Sequence, residues 1–214
     1  MHIALIVFLI ILGIPIFFIV FHTIVRIIRK IHPFPIPQFL TDLVDHPVRR
    51  KYWQIPDEIA ERMGVKPGDT VLEIGPGKGN YTIAVAKRIE PDGKVYALDI
   101  QQPVLHRLVD RLEEDEITNI IPKLDDAYNL SFEDDTVDVI FTIACLPEIP
   151  RPIEVLKEFK RVLKPGGIVS LCELFTDPDY PLRKTEKKWA SKAGLVFKEE
   201  YGNWFAYQLN FTKE

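Results

Sequence analysis

Three glycines at alternate positions, Gly75, Gly77 and Gly79, separate the apolar run Val71-Leu72-Glu73-Ile74 from a helix-forming run that begins Asn80-Tyr81-Thr82. Glycine tolerates positive φ and lets a ligand approach the backbone where a Cβ would block it, so this density predicts a loop crowded by something other than protein. The spacing narrows the choice of ligand. A dinucleotide loop, G-x-G-x-x-G, needs its third glycine at position 80, which is Asn80. A Walker A loop ending in Gly77-Lys78 needs glycine at position 72, which is Leu72. Both phosphate readings fail, leaving a small ligand held by bare backbone and by the polar groups beside it.

Acids stand at the right places for that. An apolar run from Lys94 to Leu98 ends in Asp99-Ile100, and a carboxylate at the C-terminal end of a strand accepts hydrogen bonds from both hydroxyls of a ribose. Farther on comes Asp125-Asp126-Ala127, followed by Asn129-Leu130-Ser131-Phe132. The hydrophobic-hydrophobic-Glu-hydrophobic-Gly-x-Gly-x-Gly pattern of Val71 to Gly79 resembles the first motif of the class I S-adenosylmethionine-dependent methyltransferases. Asp99 matches that family's ribose-binding acid. Asp126 and Ala127 match the family's G-D-A-x-x-L-P-F segment, which holds the adenine, with Asp125 in place of its glycine. Asp138-Val139-Ile140-Phe141, Leu146-Pro147-Glu148-Ile149-Pro150 and Val162-Leu163-Lys164-Pro165-Gly166-Gly167 follow in family order. The resemblance covers roughly residues 50 to 214. Over this part, including the tail from Asp177 to Arg183, the chain is similar to the methyltransferases of ubiquinone and menaquinone biosynthesis.

The resemblance implies S-adenosylmethionine as cofactor and S-adenosylhomocysteine as its product. It implies a binding set of Glu73, Gly75, Pro76, Gly77, Gly79, Asn80, Tyr81, Asp99, Ile100, Asp126, Ala127 and Thr142. Glu73 has a second reading, as a structural carboxylate that accepts loop amides. Arg49, Tyr52 and Gln54 are candidates for the methionine carboxylate only because they precede the first strand. A sulfonium methyl is a good electrophile, so orientation of the nucleophile does most of the work. A base is needed only where the nucleophile carries a proton that must leave. Glu148 is the catalytic candidate: the family segment often reads L-H-H-I-P-D-P, and here both histidines are gone and Glu148 alone titrates. It has a rival role as a cap for the helix beginning near Pro152. The N-P-P-Y motif is replaced by Thr142-Ile143-Ala144-Cys145, which weighs against methylation of a nucleobase or glutamine amide.

The elements that must carry these residues alternate as a parallel sheet requires. Strands are expected near 70 to 74, 94 to 99, 120 to 124, 137 to 142, 168 to 173, 195 to 201 and 205 to 211. Helices are expected over Pro56 to Met63, Asn80 to Ile89, Pro103 to Glu114, Pro152 to Val162 and Arg183 to Ala193, the last ended by Gly194. Gly202-Asn203 signals a hairpin between the final strands. The expected fold is α/β, a Rossmann-like doubly wound, mostly parallel seven-stranded sheet with an antiparallel last strand, preceded by one transmembrane helix.

That helix is read from Ile3 to Val25, which contains no Asp, Glu, Lys or Arg. At 1.5 Å per residue the segment is about 35 Å long, enough to cross the hydrocarbon core of a bilayer. Only Met1 and His2 precede it, and its far end reads Phe21-His22-Thr23-Ile24-Val25-Arg26, which suits an uncleaved anchor better than a cleaved signal peptide. Arg26, Arg29 and Lys30 follow it, so the positive-inside rule places the remainder in the cytoplasm. Alternate prolines in Ile31-His32-Pro33-Phe34-Pro35-Ile36-Pro37 favour a stiff extended spacer. The expected division is an anchor over 1–28, a basic Pro-rich linker over 29–50 and a methyltransferase domain over 51–214.

The net charge is −4, and no basic stripe with interleaved aromatics runs through the domain, which excludes nucleic acid as an expected partner. The chain has two cysteines and five histidines, none at metal-binding spacing, so no metal is expected. A tether raises the effective concentration of the domain toward lipid-borne acceptors. A lipid, a quinone precursor or another small hydrophobic acceptor is therefore expected, with a non-catalytic cofactor-binding scaffold or a protein methyltransferase as alternatives. Arg183, Lys184, Lys187, Lys188 and Lys192 form a basic helix face, turned either to headgroups or to solvent.

Overall fold

The computed structural model describes residues 2–31 and 46–214; of the spacer expected over residues 31–37, Ile31 ends the first helix and the rest lies outside the described residues. Helix α1, His2–Ile31, holds a 23-residue apolar stretch, Ile6–Ile28, of which no part is buried inside the protein. By length and composition it is long enough to cross a membrane, a test that a signal sequence near the N-terminus also passes. Pro15 lies within it.

The remaining chain forms α2 (Pro47–Tyr52), α3 (Pro56–Arg62), β1 (Thr70–Ile74), α4 (Asn80–Arg88), β2 (Lys94–Asp99), α5 (Gln102–Glu114), β3 (Ile120–Leu124), β4 (Val137–Ile143), a 3₁₀ turn (Leu146–Glu148), α6 (Pro152–Val162), β5 (Leu163–Leu174), α7 (Arg183–Ala193), β6 (Val196–Gly202) and β7 (Ala206–Thr212). The strands make one seven-stranded sheet in the order β3-β2-β1-β4-β5-β7-β6. β7 runs antiparallel to both β5 and β6, and the other pairings are parallel. The order reverses between β1 and β4, and a crevice at the carboxyl ends of the strands is the ligand position that this topology creates.

Side chains alternate between two apolar layers. Leu72 and Ile74 of β1 and Ile140 of β4 pack with Leu156 and Phe159 of α6. Val71, Val139 and Phe141 pack with Ile59 of α3 and Met63 just after it, and with Val85 of α4 and Ile89 just after it. This period of two, apolar on both faces, is what a sheet covered by helices on both sides requires. Fully burying one side chain such as Phe159 is worth roughly 1.5–3 kcal/mol.

Two elements depart from expectation. β5 begins at Leu163, not at 168, because Val137 pairs with Leu163 and Val139 with Ile168. The intervening Lys164-Pro165-Gly166-Gly167 is thus a looped-out bulge within the strand. A Cβ on Gly167 would lie 2.9 Å from the Asp138 carbonyl oxygen, and Lys164 Nζ sits 2.8 Å from both carboxylate oxygens of Asp138. The second departure is α2, a six-residue helix that the sequence reading left inside a linker. Pro47 starts it and His46 Nδ1 accepts from the Val48 amide at 3.2 Å, a proline-first, side-chain-capped start. A boundary at residue 51 would cut this helix in two.

Candidate cofactor and active site

The three glycines serve three neighbours. Gly75, at φ +76°, would place a Cβ 2.6 Å from Cys145 Sγ, and Gly79, at φ +78°, would place one 2.4 Å from Leu108 Cδ1. Both are glycines because protein crowds them, which corrects the expectation that a ligand crowds all three. At Gly77, with φ +53°, an added Cβ meets no atom within 4 Å. Its space opens on a cavity of about 380 Å³ lined by Arg49, Gly75, Pro76, Gly77, Lys78, Tyr81, Asp99, Ile100, Asp126, Ala127, Cys145 and Glu148 among others. That volume lies within the range of small-molecule sites.

Asp99 stands at the carboxyl end of β2, where its Oδ1 accepts from the Gln101 amide at 2.8 Å. Burial pushes its carboxyl above the ordinary value, and the Gln101 and Ile100 amides oppose that rise. Beside it, the Ile100 side chain is exposed against the cavity. On the neighbouring segment, where the Asp125 amide donates to the Asp99 carbonyl at 3.2 Å, Asp126 Oδ1 accepts from the Tyr128 amide at 2.9 Å and Ala127 is buried at the wall. Asp125, the residue in place of the family glycine, braces this loop: its carboxylate accepts from the Ser131 amide at 3.1 Å, the Ser131 hydroxyl at 2.5 Å and the Asp126 amide at 3.0 Å. Burial acts to raise its carboxyl, but these donors and Lys123 hold it below its ordinary value.

Of the three candidates for the methionine carboxylate, only Arg49 lines the cavity. Gln54 is buried and its Oε1 accepts from Arg49 Nε at 2.5 Å, whereas Tyr52 is 62% exposed on the surface. The segment after β4 closes the other side. Ala144 holds φ +51°, and its amide donates to the Cys172 carbonyl at 2.8 Å. The 3₁₀ turn then presents Glu148, whose carboxylate lies within 4.8 Å of those of Asp177 and Asp179. Glu148 does not cap α6: the N-cap is Arg151 and no side chain caps that end.

Glu73, Gly79, Asn80 and Thr142 do not line the cavity. Glu73 is buried in β1 and accepts from the Thr82 hydroxyl, which favours its structural reading. Asn80 Oδ1 accepts from Arg111 at 2.8 Å, and Thr142 is fully buried in β4. The sequence reading missed Tyr128, whose hydroxyl donates to the Pro150 carbonyl and whose ring lies 4.8 Å under the Arg151 guanidinium. That strap joins the loop after β3 to the segment after β4, and only the three-dimensional approach of the two reveals it.

These residues fit S-adenosylmethionine by their chemistry. The cavity wall offers the Asp99 and Asp126 carboxylates as acceptors, the Arg49 guanidinium as a cation, the apolar Ala127 side chain, and at Gly77 a backbone with no Cβ in the way. The solved structures most like this one include an S-adenosylmethionine-dependent methyltransferase from Aquifex aeolicus, with TM-score 0.77 at 21% identity, covering 84% of this chain and all of that one. Another is phosphoethanolamine N-methyltransferase 2 of Haemonchus contortus in complex with S-adenosyl-L-methionine, with TM-score 0.61 at 22% identity, over 70% of this chain and 38% of that one. At such identities the likeness establishes the fold alone.

Demethylmenaquinone methyltransferase of Bacillus mycoides (strain KBAB4) is 36% identical over 125 residues, which is 58% of this chain and 52% of that protein. Its Staphylococcus aureus (strain JH9) counterpart is 30% identical over 161 residues, 75% of this chain and 59% of that protein. The chain thus matches little more than half the length of these curated relatives. The ubiE/COQ5 methyltransferase family model matches residues 41–208, which includes every residue of the cavity wall, and the chain belongs to that family.

Proposed function

We propose that this protein is an S-adenosylmethionine-dependent methyltransferase, held at the cytoplasmic face of a membrane by α1, that acts on a lipid, a quinone precursor or another small hydrophobic acceptor. The observation that carries the reading is one cavity at the carboxyl rim of the sheet, bounded by Asp99, Asp126, Gly77 and Arg49, with Glu148 also in its wall. Residues 1–28 serve as anchor in this reading, and the catalytic domain starts at α2 so that it includes Arg49.

When bound, S-adenosylmethionine supplies a methyl group on a sulfonium, an electrophile that reacts with an aligned nucleophile without further activation. Asp99 would hold the ribose through its hydroxyls, and Arg49, braced by Gln54, would pair with the carboxylate end. Ile143, Cys145 and Ile149 form an apolar wall that keeps water from the transfer path. Glu148 accepts the proton from an acceptor hydroxyl or ring carbon that must lose one. The apolar character of α1 and the cations after it support a lipid-phase acceptor in the inner leaflet.

Incubating the full chain with methyl-labelled S-adenosylmethionine and a native membrane lipid extract tests the proposal. Label recovered in a lipid supports the enzyme. Cofactor binding by calorimetry with no labelled lipid, small molecule or membrane protein assigns the chain a scaffold role instead.

A further inference from the structure

An aromatic cluster stands on the surface beside the inner end of α1. Trp53 packs on Phe205 with ring centroids 5.0 Å apart, Phe205 on Trp204 at 5.6 Å, and Phe175 on Trp204 and Tyr180 at 5.4 and 5.6 Å. Three separate segments supply it: the end of α2, the loop after β5 and the β6–β7 turn. Such rings belong in a core, yet Trp204 and Leu182 are each 70% exposed and Trp53 and Phe175 are more than two-fifths exposed.

The position of the cluster identifies what covers it. Arg26 lies within the last turn of the apolar stretch that ends at Ile28. Its Nε donates to the Pro178 carbonyl at 3.0 Å and its Nη2 to the Tyr180 carbonyl at 2.5 Å. Tyr180 in turn donates its hydroxyl to the Trp204 carbonyl at 2.6 Å. One residue therefore ties the end of the apolar helix to the aromatic cluster, so with α1 as a membrane span the cluster lies at the level where that helix leaves hydrocarbon. Tryptophan and tyrosine concentrate at this level because their rings are apolar and their N–H or O–H groups need polar partners. A cation accompanies them, with Lys51 Nζ 5.3 Å from the Tyr52 ring.

We infer that Trp53, Phe175, Leu182 and Trp204 form an interfacial docking surface that inserts into the lipid headgroup region, fixing the domain flat against the bilayer. The inference rests on the reading of α1 as a membrane span. Its consequence is directional: the Trp53 amide donates to the Arg49 carbonyl at 3.0 Å, and Arg49 lines the cavity. The loop after β5 also brings Asp177 and Asp179 to Glu148. The docked surface therefore borders the active site, and a hydrophobic acceptor passes between bilayer and cavity without crossing bulk water.

The chain has three tryptophans, so two variants of the full protein isolate the probes: Trp53→Phe with Trp189→Phe leaves Trp204, and Trp53→Phe with Trp204→Phe leaves Trp189. Each is reconstituted into phosphatidylcholine and phosphatidylglycerol vesicles that carry a nitroxide either near the headgroup or near the acyl-chain terminus. Retention after a carbonate wash is scored in parallel. The expected result is retention of both variants, loss of most Trp204 emission with the shallow nitroxide, a smaller loss with the deep one, and little loss for Trp189. Equal quenching of Trp204 and Trp189 in retained protein overturns the docking surface and leaves the span intact. Release by carbonate overturns the span, and the docking surface with it. A Trp204 blue shift that follows protein concentration in detergent and is insensitive to lipid assigns the surface to a second copy of the chain and also overturns it.

Discussion

Gln54 Oε1 accepts a 2.5 Å hydrogen bond from Nε of Arg49, so a glutamine that is itself 2% exposed fixes the guanidinium at the cavity wall. The pair spans the end of α2, where the Gln54 amide also donates to the Arg49 carbonyl at 2.9 Å. A flexible cation would lose side-chain freedom on binding an anion, and one already held loses less.

Arg49→Ala is expected to weaken binding of S-adenosylhomocysteine by about 10- to 100-fold, the size of a lost charge-assisted hydrogen bond of roughly 1.5–3 kcal/mol. Arg49→Lys keeps the charge but not the fork, and should recover only part of the affinity. Calorimetry on the three proteins checks this, and unchanged affinity in Arg49→Ala removes the residue from the site.

The glycines separate in the same way. Gly79→Ala drives a Cβ against Leu108 and should lower Tm through overpacking worth about 1–3 kcal/mol. Gly75→Ala should do likewise against Cys145, with a smaller penalty in a Cys145→Ala background that removes the sulfur. In Gly77→Val the added Cβ meets no protein atom within 4 Å, and the left-handed backbone adds strain of roughly 1–2 kcal/mol. It should stay folded by circular dichroism while losing cofactor binding. A Gly77→Val protein with wild-type affinity would show that the cavity beside that residue is not the cofactor site.

The strand and helix positions were legible because apolar period and punctuation agree: Val71 and Leu72 face opposite layers, and Pro152 and Gly194 stand at a helix start and just past a helix end. Asp99, Asp126 and Gly77 were legible because the motif places them at strand ends. Glu73 and Asn80 belong to the same motif but are spent on Thr82 and Arg111, partners distant enough that spacing alone does not reveal them. Asp177 and Tyr128 could not be read as parts of the site at all, since each reaches it only when its loop folds back toward the segment after β4. α2 was hidden by length: six residues carry too little period to be recognised.

Asp99 and Asp125 should respond oppositely to loss of charge. Asp125 accepts from three loop donors, so Asp125→Ala leaves these unpaired and should lower stability, with a further effect on binding through the disordered loop. Its folded carboxyl sits below the ordinary 3.8, so the stability it contributes is present above that value and is lost as pH falls through the folded value. Asp99→Ala should leave Tm nearly unchanged and greatly weaken cofactor binding. Equal Tm losses in the two variants would contradict this division of roles.

A buried acid pair sets a second pH dependence. Glu173 on β5 and Glu186 on α7 are fully buried, and among the described residues none of their carboxylate oxygens has a hydrogen-bond partner; the Tyr207 hydroxyl donates to the Pro181 carbonyl at 2.8 Å. Burial pushes Glu186 up from 4.5 to about 8, and Glu173 is driven well up by burial and by the charges of Glu186 and Asp177. In the unfolded chain Glu186 ionises near 4.5, while in the folded chain it keeps its proton to about 8. Glu186 therefore binds more protons in the folded state between those values, and its contribution to stability falls as pH rises through that window. Glu186→Gln removes the titrating group at equal size, so it should flatten the Tm profile and raise Tm at the alkaline end. A wild-type Tm that rises steadily across the same window would refute the assignment.

Glu148 sits in the wall of the cavity with two other carboxylates within 4.8 Å. Glu148→Gln relieves one charge without changing size. If the carboxylate takes a proton from the acceptor, the variant should stay folded by circular dichroism, bind S-adenosylhomocysteine as tightly as wild type, and lose turnover by about 100-fold or more, the usual contribution of a positioned base. Unchanged turnover would remove Glu148 from catalysis. Turnover lost together with cofactor affinity would make it a binding residue instead, because a base acting on the acceptor leaves cofactor binding untouched.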